Sequence, residues 1–340
     1  MRSLAIAAAL AILPMSSWAQ SEHPVRVDSG DAVLAGTLML PQDEPLAAVV
    51  LIQGAGPHGR DQVISGAPMF RELAEGLAAR GVASLRIDNA GVGESTGEPV
   101  QHFLQRRPHI IAAFDALAGR PELEGVPLGL IGHSEGTLVA TSLWADRRDT
   151  IDFLVLLGAP GRPGREVWVE QQSNPDRFPE HDAEGLARIR AAFDAVAQAS
   201  IIGDRQGVED AADALFAATG LPPEEAAEIR PDFVNRMASP EMQVFLGHDP
   251  ASTFAPVAEP ILMVWGDADT LTSPAQNLPV FLDEQNDDAD VTLVVLPDED
   301  HFFLRGEGLP PGEHRRGAMS LSPVITDLVS RWIAGLEDRP

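Results

Sequence analysis

Residues 127–140 read PLGLIGHSEGTLVA, and this stretch decides the fold. A short apolar run of strand length meets a sharp turn, G-H-S-E-G, and the apolar residues then resume at helical spacing. A serine on a tight strand-to-helix turn must take strained backbone angles. Its neighbours Gly132 and Gly136 carry no Cβ to strike the adjacent strand or helix. Such a turn lifts the Ser134 hydroxyl above the edge of a sheet. It also aims the N–H of Glu135, the first residue of the new helix, at the same point. That combination supplies a nucleophile and half of an oxyanion hole. The pattern G-x-S-x-G alone is a weak signal, since it arises by chance in on the order of one in ten chains of this length. The surrounding elements must therefore carry the argument.

Upstream, residues 25–40 alternate in polarity and break at Asp28-Ser29-Gly30-Asp31, which predicts an antiparallel hairpin closed by Pro41. Ala47 to Ile52, AAVVLI, is continuously apolar, as in a strand buried on both faces of a mostly parallel sheet. It runs straight into QGAGPHGRD, Gln53 to Asp61. A Gly-rich loop leaving the C-terminal end of such a strand is where open α/β sheets bind ligands. The N–H of Ala55 is the candidate second oxyanion donor. The loop lacks the terminal G-K-[ST] of a phosphate loop, and a purely structural turn is the competing reading. Pro68 to Arg80 is helical in spacing and is capped by Gly81. Val82 to Ile87 is the next strand, feeding a second Gly-rich loop, Asp88 to Ser95. Helices are expected over His102 to Ala118 and from Glu135 to about Ala145, then a strand over Asp152 to Leu157. This alternation is the signature of a doubly wound parallel sheet.

The alternation stops from about Gly161 to Pro256, where no strand is evident. Gly185 to Ala199 and Asp210 to Thr219 are helical, and Pro222-Pro223-Glu224-Glu225 begins a further helix. About 95 residues exceed what a structureless loop accounts for. They are read as a helical cap inserted between two strands, against the alternative of helices packed on the sheet's flank. The sheet resumes at Pro260 to Trp265, followed by Gly266-Asp267-Ala268-Asp269, and again at Val291 to Leu296, followed by residues up to His301. The acidic run from Asp283 to Asp290 is expected to be a solvated loop, since it lacks the Gly and the final Glu of a calcium loop. Ser320 to Leu336 closes the chain as an amphipathic helix. The expectation is an α/β fold with a mostly parallel eight-stranded sheet, helices on both faces and an inserted helical cap. Its parts are 1–19, 20–160 (core), 161–256 (cap) and 257–340 (core).

Three apolar strands thus end, in order, at Ser134, at Asp267/Asp269 and at His301. In a parallel sheet their C-terminal ends share one rim. A hydroxyl is a poor nucleophile at its own pKa. His301 would take its proton during attack and return it to the leaving group, while a carboxylate fixes the imidazole tautomer and stabilises the imidazolium. Singly, a loop histidine or a turn aspartate means little. All three at strand ends on one rim, in this order, are strong evidence for a triad.

Composition bounds the partners and the compartment. The formal net charge of −27 argues against nucleic acid or an anionic membrane surface. The chain contains no Lys and no Cys, which removes Schiff-base chemistry, a Ser-Lys dyad, disulfides and thiolate metal sites. No H-E-x-x-H is present, and no metal or other cofactor is implied. Residues 1–19 read as a signal peptide: Arg2, an apolar run over Leu4 to Leu13 too short to span a bilayer, and Ser17-Trp18-Ala19 before a cleavage site. An uncleaved anchor is the competing reading. The expectation is export to a bacterial periplasm or medium, with no stable membrane insertion after cleavage.

Taken together, the motifs resemble the α/β hydrolases, specifically bacterial serine esterases with a GxGPxxRD oxyanion loop, which are related to serine aminopeptidase-like hydrolases. That loop is Gly54-Ala55-Gly56-Pro57-His58-Gly59-Arg60-Asp61. DNAGVGES resembles the family's D-x-x-G-x-G-x-S loop, GHSEG its nucleophile elbow, WGDAD its acid turn and DEDHFF its terminal histidine. The resemblance places the acid at Asp269, with Asp267 as fallback. Two departures are Thr137, where many relatives have Gly, and Gly59, where some have an acid. The resemblance implies a serine hydrolase acting on a small-molecule carboxylic ester through an acyl-enzyme. Ser134, Asp269 and His301 would be catalytic, with the amides of Ala55 and Glu135 as oxyanion donors. Amide hydrolysis, acyl transfer and a non-catalytic binding role are the alternatives.

Overall fold

Strand order and register explain why distant residues meet. The structure is a computed structural model and describes residues 20–100, 102–284 and 290–336. The eight strands of the main sheet are β1 (Ser21–Asp28), β2 (Val33–Leu40), β3 (Ala47–Ile52), β4 (Val82–Ile87), β5 (Leu128–His133), β6 (Phe153–Leu157), β7 (Ile261–Gly266) and β8 (Val291–Leu296). They lie in the order β1-β2-β4-β3-β5-β6-β7-β8. The first two form an antiparallel edge, and β3 to β8 are parallel. Every residue of β3, β4, β6 and β7 is buried; β3, β6 and β7 are continuous apolar runs covered on both faces, while β4 also buries Ser84 and Arg86.

The period of two along each strand sorts side chains between two cores. Ala48, Val50 and Ile52 of β3 pack with Ile110 and Phe114 of α2 (Arg107–Ala118) and with Val139 and Leu143 of α3 (Glu135–Arg147). Val49 and Leu51 face the other way. They meet Phe70 and Leu73 of α1 (Met69–Ala78) and Ile325 and Val329 of the last helix (Pro323–Ala334). Phe70, Leu73, Ala74 and Leu77 are buried at the spacing that puts them on one helical face.

Between β6 and β7 the chain is helical: α4 (Gly164–Gln172), α5 (Ala183–Ile201), α6 (Arg205–Ala218), α7 (Pro223–Met237), α8 (Pro240–Gly247) and α9 (Ala251–Phe254). Trp168, Ile189, Phe193, Val208, Phe216, Val234 and Leu246 form a third core belonging to this segment. After β7 comes α10 (Pro274–Glu284), and the helix at the end of the chain is α11.

Several boundaries differ from expectation, for local reasons. The helix expected from His102 begins as a 3-10 turn, Phe103–Arg106, and becomes α-helical with Pro108 in its first turn. The closing helix starts at Pro323 rather than Ser320. Met319–Leu321 pairs instead with Leu304–Gly306 in a small antiparallel ribbon, and Ser322 then caps α11. Helices α4, α8, α10 and the four-residue α9 lie beyond those the spacing predicts. α4 is largely polar, α8 spans only eight residues, and α10 carries Pro279 in its interior. The signal segment, residues 1–19, and residues 285–289 of the acidic run lie outside the described residues. Among those described, no helix is long and apolar enough to cross a membrane.

Candidate active site

Ser134 sits between the last residue of β5 and the first of α3, with φ 53° and ψ −123°. A non-glycine residue holds such angles only where its surroundings over-determine them. Here the Ser134 N–H donates to the Leu157 carbonyl at 2.8 Å, and the Ser134 carbonyl accepts from the Thr137 amide at 3.0 Å and its hydroxyl at 2.6 Å. Thr137, the departure from the family pattern, thus ties down the turn. The two glycines are forced by close approach. A Cβ on Gly132 would lie 2.6 Å from the Gly136 carbonyl oxygen, and one on Gly136 would lie 2.3 Å from that of Ile52.

Asp269 follows β7 and His301 follows β8, so the rim shared by parallel strands brings them together. His301 Nδ1–H donates to Asp269 Oδ2 at 2.8 Å, with both side chains buried. Asp269 Oδ1 accepts the amides of Leu271 and Thr272, each at 2.8 Å. Burial works against the Asp269 carboxylate, but the facing His301 imidazole and these donors outweigh it and hold its pKa below the usual range. With Nδ1 engaged, Nε2 is the ring nitrogen left to the cavity that His301 shares with Ser134. Asp267 has a different task, accepting the Asp298 amide at 2.8 Å.

The loop after β3 is braced from several sides. Gly54 donates its amide to Gln62 Oε1 at 2.7 Å, so it is occupied, and the next amide is that of Ala55. His58 folds back with its Nε2 2.7 Å from the Ala55 carbonyl oxygen, and burial lowers its pKa. Arg60 reaches Asp88 with two parallel bonds, Nε to Oδ1 at 3.0 Å and Nη2 to Oδ2 at 2.6 Å. The amides of Arg60 and Glu94 donate to the same carboxylate. Burial alone would raise the Asp88 pKa, but these donors hold it down. The R-D and D-x-x-G-x-G-x-S motifs are therefore two halves of one clamp between the loops after β3 and β4. Arg106, buried in the 3-10 turn before α2, donates to the carbonyls of Gln53 at 2.6 Å and Gly54 at 3.1 Å.

Ala55, Ser134, Glu135 and His301 border one cavity of about 220 Å³. Its other walls are mainly apolar: Ile64, Pro160, Val167, Phe245, Leu271 and Phe302. Of the aromatic side chains in the helical insertion, Phe245 reaches this cavity, while Trp168, Phe193 and Phe216 are buried in the insertion's own core. A hydroxyl on a strained turn, an imidazole backed by a carboxylate and amides at a helix start, around one small apolar cavity, can attack and stabilise an acyl carbon.

Sequence reasoning missed three participants. Thr272 Oγ1 lies 2.8 Å from Asp269 Oδ2, 3.1 Å from His301 Nδ1 and 3.0 Å from the Gly158 carbonyl oxygen. The available signal was a threonine three residues beyond an acid at a strand end, the spacing of an Asx turn. Gln62 and Arg106 gave no local signal, because their partners are remote in the chain.

Comparisons with known proteins identify the family. A model of the alpha/beta hydrolase fold family matches residues 48–305. The chain is similar to Esterase EstD of Thermotoga maritima, 24% identical over 306 residues, covering 88% of this chain and 65% of that relative's length. Among solved structures it resembles Est1E of Butyrivibrio proteoclasticus with ferulic acid bound (TM-score 0.53, 16% identity, 93% of this chain and 100% of that one). It also resembles the Pyrococcus furiosus esterase Pf2001 (TM-score 0.54, 16% identity, 97% and 94%). Proline iminopeptidase of Mycobacterium smegmatis shares the fold equally well (TM-score 0.54, 16% identity, 93% and 100%). The match spans most of the chain and includes both Gly-rich loops, the elbow, the acid turn and the histidine, and so the protein belongs to the alpha/beta hydrolase fold family.

Proposed function

We propose that the protein is an exported serine hydrolase that cleaves small carboxylic esters through an acyl-enzyme. The observation that carries this reading is His301, held by Asp269 at 2.8 Å and bordering the same apolar cavity as the strained Ser134. Ser134 Oγ attacks the ester carbonyl as His301 Nε2 takes its proton. The amides of Ala55 and Glu135 receive the developing oxyanion. The imidazolium, stabilised by Asp269, then protonates the departing alcohol, and water repeats the sequence to release the acid. EstD and Pf2001 carry the name esterase, which favours esters over amides as substrates. The helices over residues 161–256 act as a cap over the cavity through Val167, Gln171 and Phe245.

The test is hydrolysis of a short-chain p-nitrophenyl ester together with labelling by a fluorophosphonate. Ser134→Ala should lose both, with turnover falling by at least about 10³-fold. Full activity in that variant would overturn the nucleophile assignment. Faster turnover of an aminoacyl anilide than of the ester would replace esterase with peptidase chemistry. Export is tested by N-terminal sequencing of the periplasmic protein, which should begin at Gln20.

A further inference from the structure

A nucleophile and a base that come from different strands stay in register only if something joins their supports. One buried side chain touches both. His133 ends β5, next to Ser134, and is 1% exposed. Its Nε2 lies 2.9 Å from the backbone carbonyl oxygen of His301, and its Nδ1 lies 2.9 Å from Gln62 Nε2. A carbonyl only accepts, so the ring proton is on Nε2, and Nδ1 accepts from the Gln62 amide. Gln62, also 1% exposed, turns its Oε1 to the Gly54 amide at 2.7 Å. It does so from a left-handed backbone conformation, φ 41°. A continuous line of three hydrogen bonds therefore runs from the residue before Ala55, under Ser134, to the backbone of His301.

We propose that His133 and Gln62 form a strut that sets the separation of the oxyanion loop and the His301 backbone, so that the Ala55 amide and the His301 imidazole address Ser134 together. This inference rests on the hydrolase reading of the site. Both ring nitrogens of His133 are engaged, which makes it a positioning residue rather than a catalytic one. Burial, with the neighbouring His301 imidazole, lowers its pKa to about 3, so the ring stays neutral across the working range, and its two hydrogen bonds fix the tautomer. The titratable groups facing it are His301, Asp269 and His58, and the Phe302 ring packs 5.7 Å away.

The bonds can be cut one at a time. Asparagine places its oxygen near the position of Nδ1, so His133→Asn keeps the Gln62 contact and loses the His301 carbonyl. Glutamine places a donor near Nε2, so His133→Gln keeps the carbonyl. His133→Ala and Gln62→Leu should each lower kcat on a short-chain ester by about 10²-fold with KM within a few-fold, since small misplacements of reacting groups have effects of that size. The double variant should be no worse than the poorer single, and His133→Gln should recover part of the loss. The low-field NMR signal of the His301 Nδ1 proton, shared with Asp269, reads the strut without turnover: its chemical shift should change in His133→Ala and His133→Asn and stay in His133→Gln. Melting curves establish that each variant folds, and Gln62→Leu and His133→Gln carry the test if His133→Ala does not. Losses that multiply in the double variant, kcat within about twofold of wild type in folded single variants, or an unmoved His301 Nδ1 proton signal in His133→Ala and His133→Asn would each overturn the proposal. If the wild type neither turns over esters nor takes the phosphonate, the hydrolase reading falls, and the His301 Nδ1 proton signal alone decides the strut.

Discussion

Thr272 shows how much of a reactive site depends on side chains that take no part in the chemistry. Its hydroxyl is shared among Asp269, His301 and the Gly158 carbonyl, and it supplements the two amides already on Asp269. Removing one hydrogen bond to a charged group forfeits about 1.5–3 kcal/mol. Thr272→Val should therefore lower the melting temperature by several degrees and kcat by about tenfold, as calorimetry and steady-state kinetics would show. His133 gives a prediction at acid pH. Its pKa falls from an ordinary 6.5 to about 3 on folding, so between those values the unfolded chain binds the proton and the folded chain does not. Its contribution to stability is complete above pH 6.5 and is lost as pH falls toward 3. Urea melts should show a steeper loss between pH 7 and 4 in the wild type than in His133→Gln. At this scale Ser134, Asp269 and His301 were legible because each lies a few residues beyond an apolar strand. Gln62 and His133 were not, because hydrogen bonds between residues remote in the chain leave no periodic trace, and Thr272 showed only as a threonine close behind an acid.

Among the elements, the strands were legible and some helices were not. Six consecutive buried residues admit few polar side chains, so β3 announces itself, whereas α4 and α10 hide behind polar composition and an internal proline. The elbow tests whether packing dictates sequence. Gly136→Ala puts a methyl 2.3 Å from the Ile52 carbonyl oxygen, between a helix and a central strand, where neither is free to retreat. It should destabilise by more than about 3 kcal/mol and express poorly, as measured by soluble yield and melting temperature. The clamp between the loops after β3 and β4 makes a milder case. Lysine cannot reproduce two parallel bonds to Asp88, so Arg60→Lys should cost about 2 kcal/mol and lower the melting temperature by several degrees.

For the molecule as a whole, charge and partition matter most. A net charge of −27 repels itself, and salt screens that repulsion within about 10 Å at 0.1 M. The melting temperature should rise between 10 mM and 0.5 M sodium chloride; a flat profile in differential scanning calorimetry would count against this account. The parallel sheet was readable from alternation, but its lateral strand order was not, because nothing local in β4 tells it to lie between β2 and β3. The segregation of apolar side chains was equally invisible. Those of α4 to α8 gather in a nucleus separate from the two that flank the sheet. Selection can therefore act on the two parts at different tempos. Substitutions in the inserted helices can remodel which molecules enter while the machinery beneath is inherited intact, and an exchanged insertion from a cousin should transplant preference without rebuilding reactivity.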